Sequence, residues 1–315
     1  MGVLLILGVF CAGLSGERPA DWPEELAGLR EVVTDEARAV EALRAYQVQQ
    51  QRLAAWDLQL AEQHKRAGEA DLEAAKKEQA ARRLKCVRQA YEFVLQRYPN
   101  NARMHNYYGE VLYDRFGEQA GAVRAWKLAS ALDPALSAPY NNLAIHYVHA
   151  GDYALGLSNY DKALELDPEN PDYLYNVVQM YLVNFPQVGR LREWAKERVY
   201  REAMKLSAKA ARLAPEDFEL AQDYAVNFFA AENFGVEADW RKAATAWQQA
   251  RPLGRNDVEV FFTWLNEARV WIRAGHADKA LPCLHEALAI RPESSLAKQL
   301  LVKIEGRRAG AGGAN

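Results

Sequence analysis

The sequence predicts an all-α fold, a solenoid of helix pairs in which each pair stacks on the next, and three observations carry that prediction. First, the stretch Ser137 to Asn170 reads as helix, turn and helix. Tyr140, Leu143, Ala144 and Tyr147 recur at helical spacing, Gly151-Asp152 interrupts them, and Gly156, Tyr160 and Ala163 resume before Asp167-Pro168 stops the pattern. Second, small residues at Ala144, Gly156 and Ala163 let paired helices approach closely, while Tyr140, Tyr147 and Tyr160 fill the gaps around them. Third, variants of this unit recur along the chain, and a unit of this size buries its apolar face only by stacking on copies of itself.

Length and composition agree with this class without selecting it. A chain of 315 residues, half of them apolar, can bury its core as two globular domains or as one solenoid. A net charge of -3 and an isoelectric point near 6.1 give no basic surface for nucleic acid or anionic lipid, so neither is expected as a partner.

In chain order, residues 1–16 read as a signal peptide. Val3 to Leu14 is a continuous apolar run too short to span a bilayer as a helix, and small residues follow it at a suitable cleavage position. Cys11 is preceded by Phe10, where lipid attachment would call for a small residue, so secretion or a periplasmic location is the simpler reading. Without cleavage the same segment would be a buried helix of a cytoplasmic protein. No integral membrane span is expected once it is removed. Cys86 and Cys283 then remain, assigned to the first and last repeats, too far apart to pair, and two free thiols count slightly against export.

Residues 17–68 are expected to hold a loose leader with Pro19 and Pro23, then a helix capped by Thr34 or Asp35 and running to Ala67 before Gly68. That helix would span on the order of 50 Å. Val40, Leu43, Tyr46, Leu53, Trp56 and Leu60 mark its apolar face, interrupted by Gln47 and Gln49 to Gln51. A second helix follows over Glu69 to Arg97, polar through Gln79 and apolar from Leu84 to Tyr98. The two would form a hairpin capping the array; a coiled coil for oligomerisation through residues 35–97 is the alternative.

The repeats then run in register over 69–307. Ala102 to Ala135 carries Tyr108-Gly109 and Leu112, then Ala122, Trp126 and Ala129. After the full unit, Pro171 to Pro215 carries Leu174, Val177, Val178 and Tyr181, then Ala203, Ser207 and Ala210, with an insertion at Phe185-Pro186 and Gly189 that is either helix or loop. Phe218 to Leu253 carries Tyr224, Ala225 and Phe228, then Ala243, Trp247 and Ala250, with a second insertion at Asn233 to Asp239. Phe261 to Pro292 closes the series with Trp264, Ala268 and Trp271, then Gly275, Ala280, Leu284 and Ala287. Ser294 to Arg307 is an amphipathic capping helix, and residues 308–315 are expected to be disordered.

These motifs resemble the tetratricopeptide repeat (TPR), whose signature runs aromatic, Leu-Gly, Tyr, small residue, aromatic and a closing Pro, with Ala144 here in place of the signature Gly. The resemblance covers about five repeats and implies a right-handed solenoid whose first helices line a concave groove for extended peptides or partner helices. On that basis Asn106, Tyr107, Asn142, Asn176, Asp223 and Asn266 are the expected groove residues. Their amides could bond a peptide backbone without reading its sequence, or could serve as helix-to-helix bonds within the scaffold. The Lys and Arg set by which chaperone-binding TPR domains hold a terminal carboxylate is missing.

Enzyme chemistry has little support. The chain lacks phosphate-cradling, dinucleotide, nucleophile-elbow and H-E-x-x-H motifs. His146 and His149 are three apart on one helix, but a zinc site needs three or four ligands. No cofactor or metal is expected. The chain therefore reads as a non-catalytic protein-binding scaffold. The alternatives are an oligomeric structural or coordinating protein of the cell envelope, or an enzyme with an unrecognised site near the 185–200 insertion.

Overall fold

The computed structural model describes residues 35–312, with side chains to 306. The expected signal peptide 1–16, the leader 17–34 and the last residues of the expected tail, 313–315, lie outside the described residues. Among the described residues the fold is all-α, an array of helix pairs with no strand. They form two compact units, residues 35–146 and 147–312.

The first unit opens with α1 (Glu36–Ala67) and α2 (Ala70–Arg97), packed along each other as a hairpin. The Asp35 side chain accepts from the Arg38 N–H at 3.0 Å to start α1, and Gly68 ends it at φ 77°, a conformation that glycine adopts without cost. At the hairpin's base, Ala39, Val40 and Leu43 bury with Val87, Ala90, Tyr91 and Val94 and with Met104 and Val111 of α3 (Ala102–Phe116), so the hairpin and the first repeat share one core. Further along, the buried line of α1 passes through Gln47, Ala54, Asp57 and Ala61 instead of the expected Leu53 and Trp56, which are exposed. From Val40 onward these positions follow the three-and-four spacing of a heptad seam, with half-buried Gln50 at the step between Gln47 and Ala54 and with small and polar residues occupying much of it. Partners make this tolerable. Tyr91 Oη donates to Gln47 Oε1 at 2.7 Å, and Asp57 lies between Arg83 at 2.7 Å and Lys76 at 3.4 Å.

In the first repeat α3 pairs with α4 (Gln119–Leu132), and α5 (Ala138–His149) follows. Gly109 is required by proximity: a Cβ there would stand 2.4 Å from Nε1 of Trp126, the nitrogen that donates to the Asn106 carbonyl at 3.2 Å.

The second unit continues with α6 (Tyr153–Leu166), α7 (Pro171–Val183), α8 (Phe185–Arg192) and α9 (Lys196–Leu213). The insertion after Val183 is thus an additional short helix. It leaves the repeat intact, because α7 still packs on α9. Next come α10 (Phe218–Asn227), a 3-10 turn over Phe228–Phe234, and α11 (Trp240–Ala250). The two insertions meet: the rings of Phe185 and Phe234 lie 4.7 Å apart, and Tyr200 stands 5.4 Å from Phe234. Then α12 (Asp257–Arg273) and α13 (Ala277–Ile290) pair around Phe261, Leu265, Trp271 and Leu284, joined by Trp247 from α11.

The last helix, α14 (Ser295–Gly312), buries Ala297 and Ile304 in the same core. It extends past the expected end at Arg307 into the stretch expected to be disordered. Arg307, Arg308 and Ala309 are strong helix formers with no proline among them, so composition alone did not stop the helix there. No helix among the described residues is long and apolar enough to cross a membrane. Cys86 and Cys283 are not joined in a disulfide, and burial pushes the thiol of Cys283 up to about 12.

Candidate functional site

In the second unit the first helices α7, α10 and α12 each carry a line of residues spaced three and four apart. On α7 it runs Asn176, Gln179 and Val183; on α10, Asp223 and Val226; on α12, Phe262, Asn266, Arg269 and Arg273. Val183 is 70% exposed and Phe262 46%, with Tyr175 and Val226 also exposed.

Within the first unit the expected site residues converge on a carboxylate. Glu110 Oε1 accepts from Asn106 Nδ2 at 2.9 Å, and its Oε2 accepts from Arg44 of α1 at 2.9 Å. Asn142 Nδ2 of α5 donates to Asn106 Oδ1 at 3.0 Å and lies 3.5 Å from Glu110 Oε1. Arg44 also donates to Gln47 and stacks 4.4 Å over the Tyr107 ring. One polar chain therefore runs from Tyr91 through Gln47, Arg44, Glu110 and Asn106 to Asn142, linking four helices. Burial raises the Glu110 carboxyl above the usual range, opposed by Arg44 and by the two amides.

Asp223 organises a comparable cluster in the second unit. Its oxygens accept from Gln179 Nε2 and Asn227 Nδ2, each at 2.8 Å, and from Ser207 Oγ at 3.3 Å, joining α7, α9 and α10. All three donors are neutral, so burial dominates and the Asp223 carboxyl is also raised. Glu267 anchors the third cluster: Gln248 donates at 2.6 Å, Trp271 at 3.1 Å, and Arg251 forms an ion pair with it. Arg251 also donates to Thr263 at 3.2 Å and stacks on Trp264.

The expected residues thus divide. Asn106, Tyr107 and Asn142 come together, and Asn106 is buried, with its amide bonded inside the scaffold. Asp223 is joined to the helix of Asn176 through Gln179, while Asn176 itself is partly exposed. Asn266 is buried and donates to the Phe262 carbonyl at 2.9 Å, while its oxygen accepts from Arg269 Nη1 at 2.7 Å. Helix-to-helix or intrahelical bonding therefore accounts for Asn106, Asn142 and Asn266 in the free chain.

Sequence reasoning missed Glu110, Glu267 and Arg269. For Glu110 and Arg269 a charged residue four or three positions after a repeat asparagine on the same helix was the available signal, whereas Glu267 directly follows Asn266 and carried none. Near the insertion the functional-looking side chains are engaged in packing and pairing: Trp194 meets Tyr181 edge-on and lies under Arg198, and Arg192 pairs with Asp161. His146 stands edge-on to Tyr113 at 6.0 Å, and no group of three metal-binding side chains occurs among the described residues.

Helix pairs of this design are the fold of TPR proteins. The chain is similar to YrrB, described as a TPR protein with an unusual peptide-binding site, at 19% identity over 67% of this chain and 97% of that chain, with a TM-score of 0.50. It is also similar to the C-terminal part of a TPR repeat-containing protein from Cytophaga hutchinsonii, at 14% identity over 82% of this chain and 99% of that one, with a TM-score of 0.53. At these identities the likeness is one of fold. No protein-family model matches the sequence, and the comparison with curated proteins gives no match.

Proposed function

We propose that the chain is a non-catalytic scaffold that holds an extended peptide or a partner helix along the first-helix stripes. The observation that carries this reading is the set of apolar side chains exposed on the first helices, Tyr175, Val183, Val226 and Phe262, interleaved with amide and charged groups. A repeat that needed only to stack has no use for large apolar residues there, since its stacking faces are already buried. The description of YrrB as having a peptide-binding site agrees with the reading. Asn176, partly exposed on α7 beside the exposed Tyr175, is the expected amide placed to meet a ligand backbone. Crosslinking in the native cell followed by mass spectrometry tests the proposal. Crosslinks to one partner should map to α7, α10 and α12; crosslinks confined to the outer helices α9 and α11 would overturn it.

A second reading is favoured by the hairpin. Beyond the shared core it exposes the large apolar side chains Trp56 (59%), Leu58 and Leu72, which suit self-association of an envelope-type structural protein. Light scattering separates the readings: an oligomer that Trp56→Ser dissociates assigns the hairpin to assembly, and a monomer assigns it to capping. Secretion or a periplasmic location belongs to the proposal on the strength of the apolar run Val3 to Leu14. N-terminal sequencing of the native protein should find a chain starting between Ser15 and Pro19, and an intact Met1 would refute export.

A further inference from the structure

Arg269 stands apart from the arginines around it. Its Nη1 donates to Asn266 Oδ1 at 2.7 Å, its guanidinium lies 4.8 Å over the Phe229 ring, and among the described residues no carboxylate pairs with it. Its neighbour one turn on, Arg273, stacks on the same ring at 5.4 Å and on Trp240 at 5.6 Å, but is neutralised by an ion pair with Glu232. Arg251 is likewise paired with Glu267. Arg251, Arg255 and Arg273 thus have their carboxylates, whereas Arg269 is held in place by an amide and an aromatic face, with no bond at its Nε or Nη2 among the described residues. Burial and the positive charge of Arg273 both disfavour the charged form of Arg269, the opposite of what a structural ion pair does. A fixed guanidinium with two free donors in one plane matches a carboxylate's two oxygens. On the same helix, Phe262 is exposed one turn before Asn266, and Val226 is exposed at the end of α10, three residues before Phe229.

We infer that Arg269, positioned by Asn266 and Phe229, is a recognition point for an acidic side chain of the bound peptide, an Asp or Glu flanked by a large apolar residue that packs on Phe262. This rests on the peptide-binding reading above and adds the chemistry that the peptide must carry. The charge supports this occupant specifically: a basic peptide would be repelled by Arg269, and a neutral one would leave the half-buried guanidinium without a carboxylate.

The test is selection from a display library of random short peptides on the wild-type chain and on Arg269→Gln, followed by titration of the enriched peptides and of their Asn or Gln counterparts. Wild type should enrich Asp or Glu next to an aromatic or aliphatic residue, and Arg269→Gln should lose that acidic preference. Affinity for the acidic peptide should fall about tenfold in Arg269→Gln, with no change for the amide peptide. Arg269→Lys, which keeps the charge without the planar fork, should recover part of the loss, and it stands in if the Gln variant does not fold. Peptides enriched without an acidic residue, or with one that Arg269→Gln retains, overturn the inference and leave the scaffold reading standing. A library from which the wild type enriches nothing overturns both.

Discussion

Gly109 and Gly121 show how differently two helical glycines of one repeat can respond to the same added methyl. At Gly109 the new Cβ meets the rigid indole of Trp126 at 2.4 and 2.6 Å, and the ring cannot retreat without giving up its bond to the Asn106 carbonyl. Gly109→Ala should therefore cost about 1–3 kcal/mol, read from the midpoint of denaturant unfolding. At Gly121 the nearest atom is the flexible end of Leu112 at 3.1 Å, and the gain in helix propensity, about 1 kcal/mol, should leave Gly121→Ala neutral or slightly stabilised. Asp223 makes a prediction in pH. Its carboxyl is raised by burial, so the folded state binds a proton more readily than the unfolded chain. The stability from this group is complete below the unfolded value, about 4, and is lost as pH rises through the raised folded value. Unfolding midpoints measured across that range should fall less steeply in Asp223→Asn than in the wild type; an unchanged slope would show that Asp223 titrates normally. At this scale the sequence was only half legible. It located Tyr107, Asn142, Asn176, Asp223 and Asn266 on one register of the repeat, with Asn106 beside it, but the same register serves a ligand or a neighbouring helix equally well. Which of the two an amide meets depends on Glu110, Gln179 and Arg269, residues on adjacent turns or helices.

Helix by helix, the chain was more readable, since boundaries follow from local chemistry. Asp35 and Gly68 bracket α1 as expected, and the Gly151 turn separates α5 from α6. The insertion after Phe185 could not be assigned because its eight helical residues are too few to show a period, and Pro186 suits either a helix start or a loop. The seam of the N-terminal hairpin was misread for a different reason. Pattern reading ranks Leu53 and Trp56 above Gln47 and Asp57, whereas the polar pair is buried because Tyr91, Arg83 and Lys76 on α2 satisfy it. This seam is expendable for the rest of the fold. Deleting residues 17–68 should leave α3 to α13 folded, with a lower melting temperature, because each later repeat keeps its own neighbours while the first loses Ala39, Val40 and Leu43 from its shared core and Arg44 from Glu110. Loss of cooperative melting in that truncation would mean that the hairpin is integral to folding rather than a cap.

Across the whole chain, helix packing connects near neighbours in sequence, α1 with α2, α3 with α4, α10 with α11 and α12 with α13. Stability in such an array is close to a sum of repeat and interface contributions, so damage stays local. Gly109→Ala should raise amide exchange in α2 to α4 and leave α12 and α13 at wild-type protection; a uniform rise would show that the array opens as one unit. The same neighbour pairing governs how fast the protein forms. Helix hairpins close short loops, so each pair can assemble within microseconds once its two helices have left the ribosome, before the next pair exists. The pair α7 and α9 is the exception, since α8 lies between its members and Phe185 finds Phe234 only after α10 and the 3-10 turn have been made. Synthesis therefore passes through a stage at which α7 to α9 is present but Phe185 lacks its ring partner, and that is the stage at which a nascent chain would most need protection from aggregation.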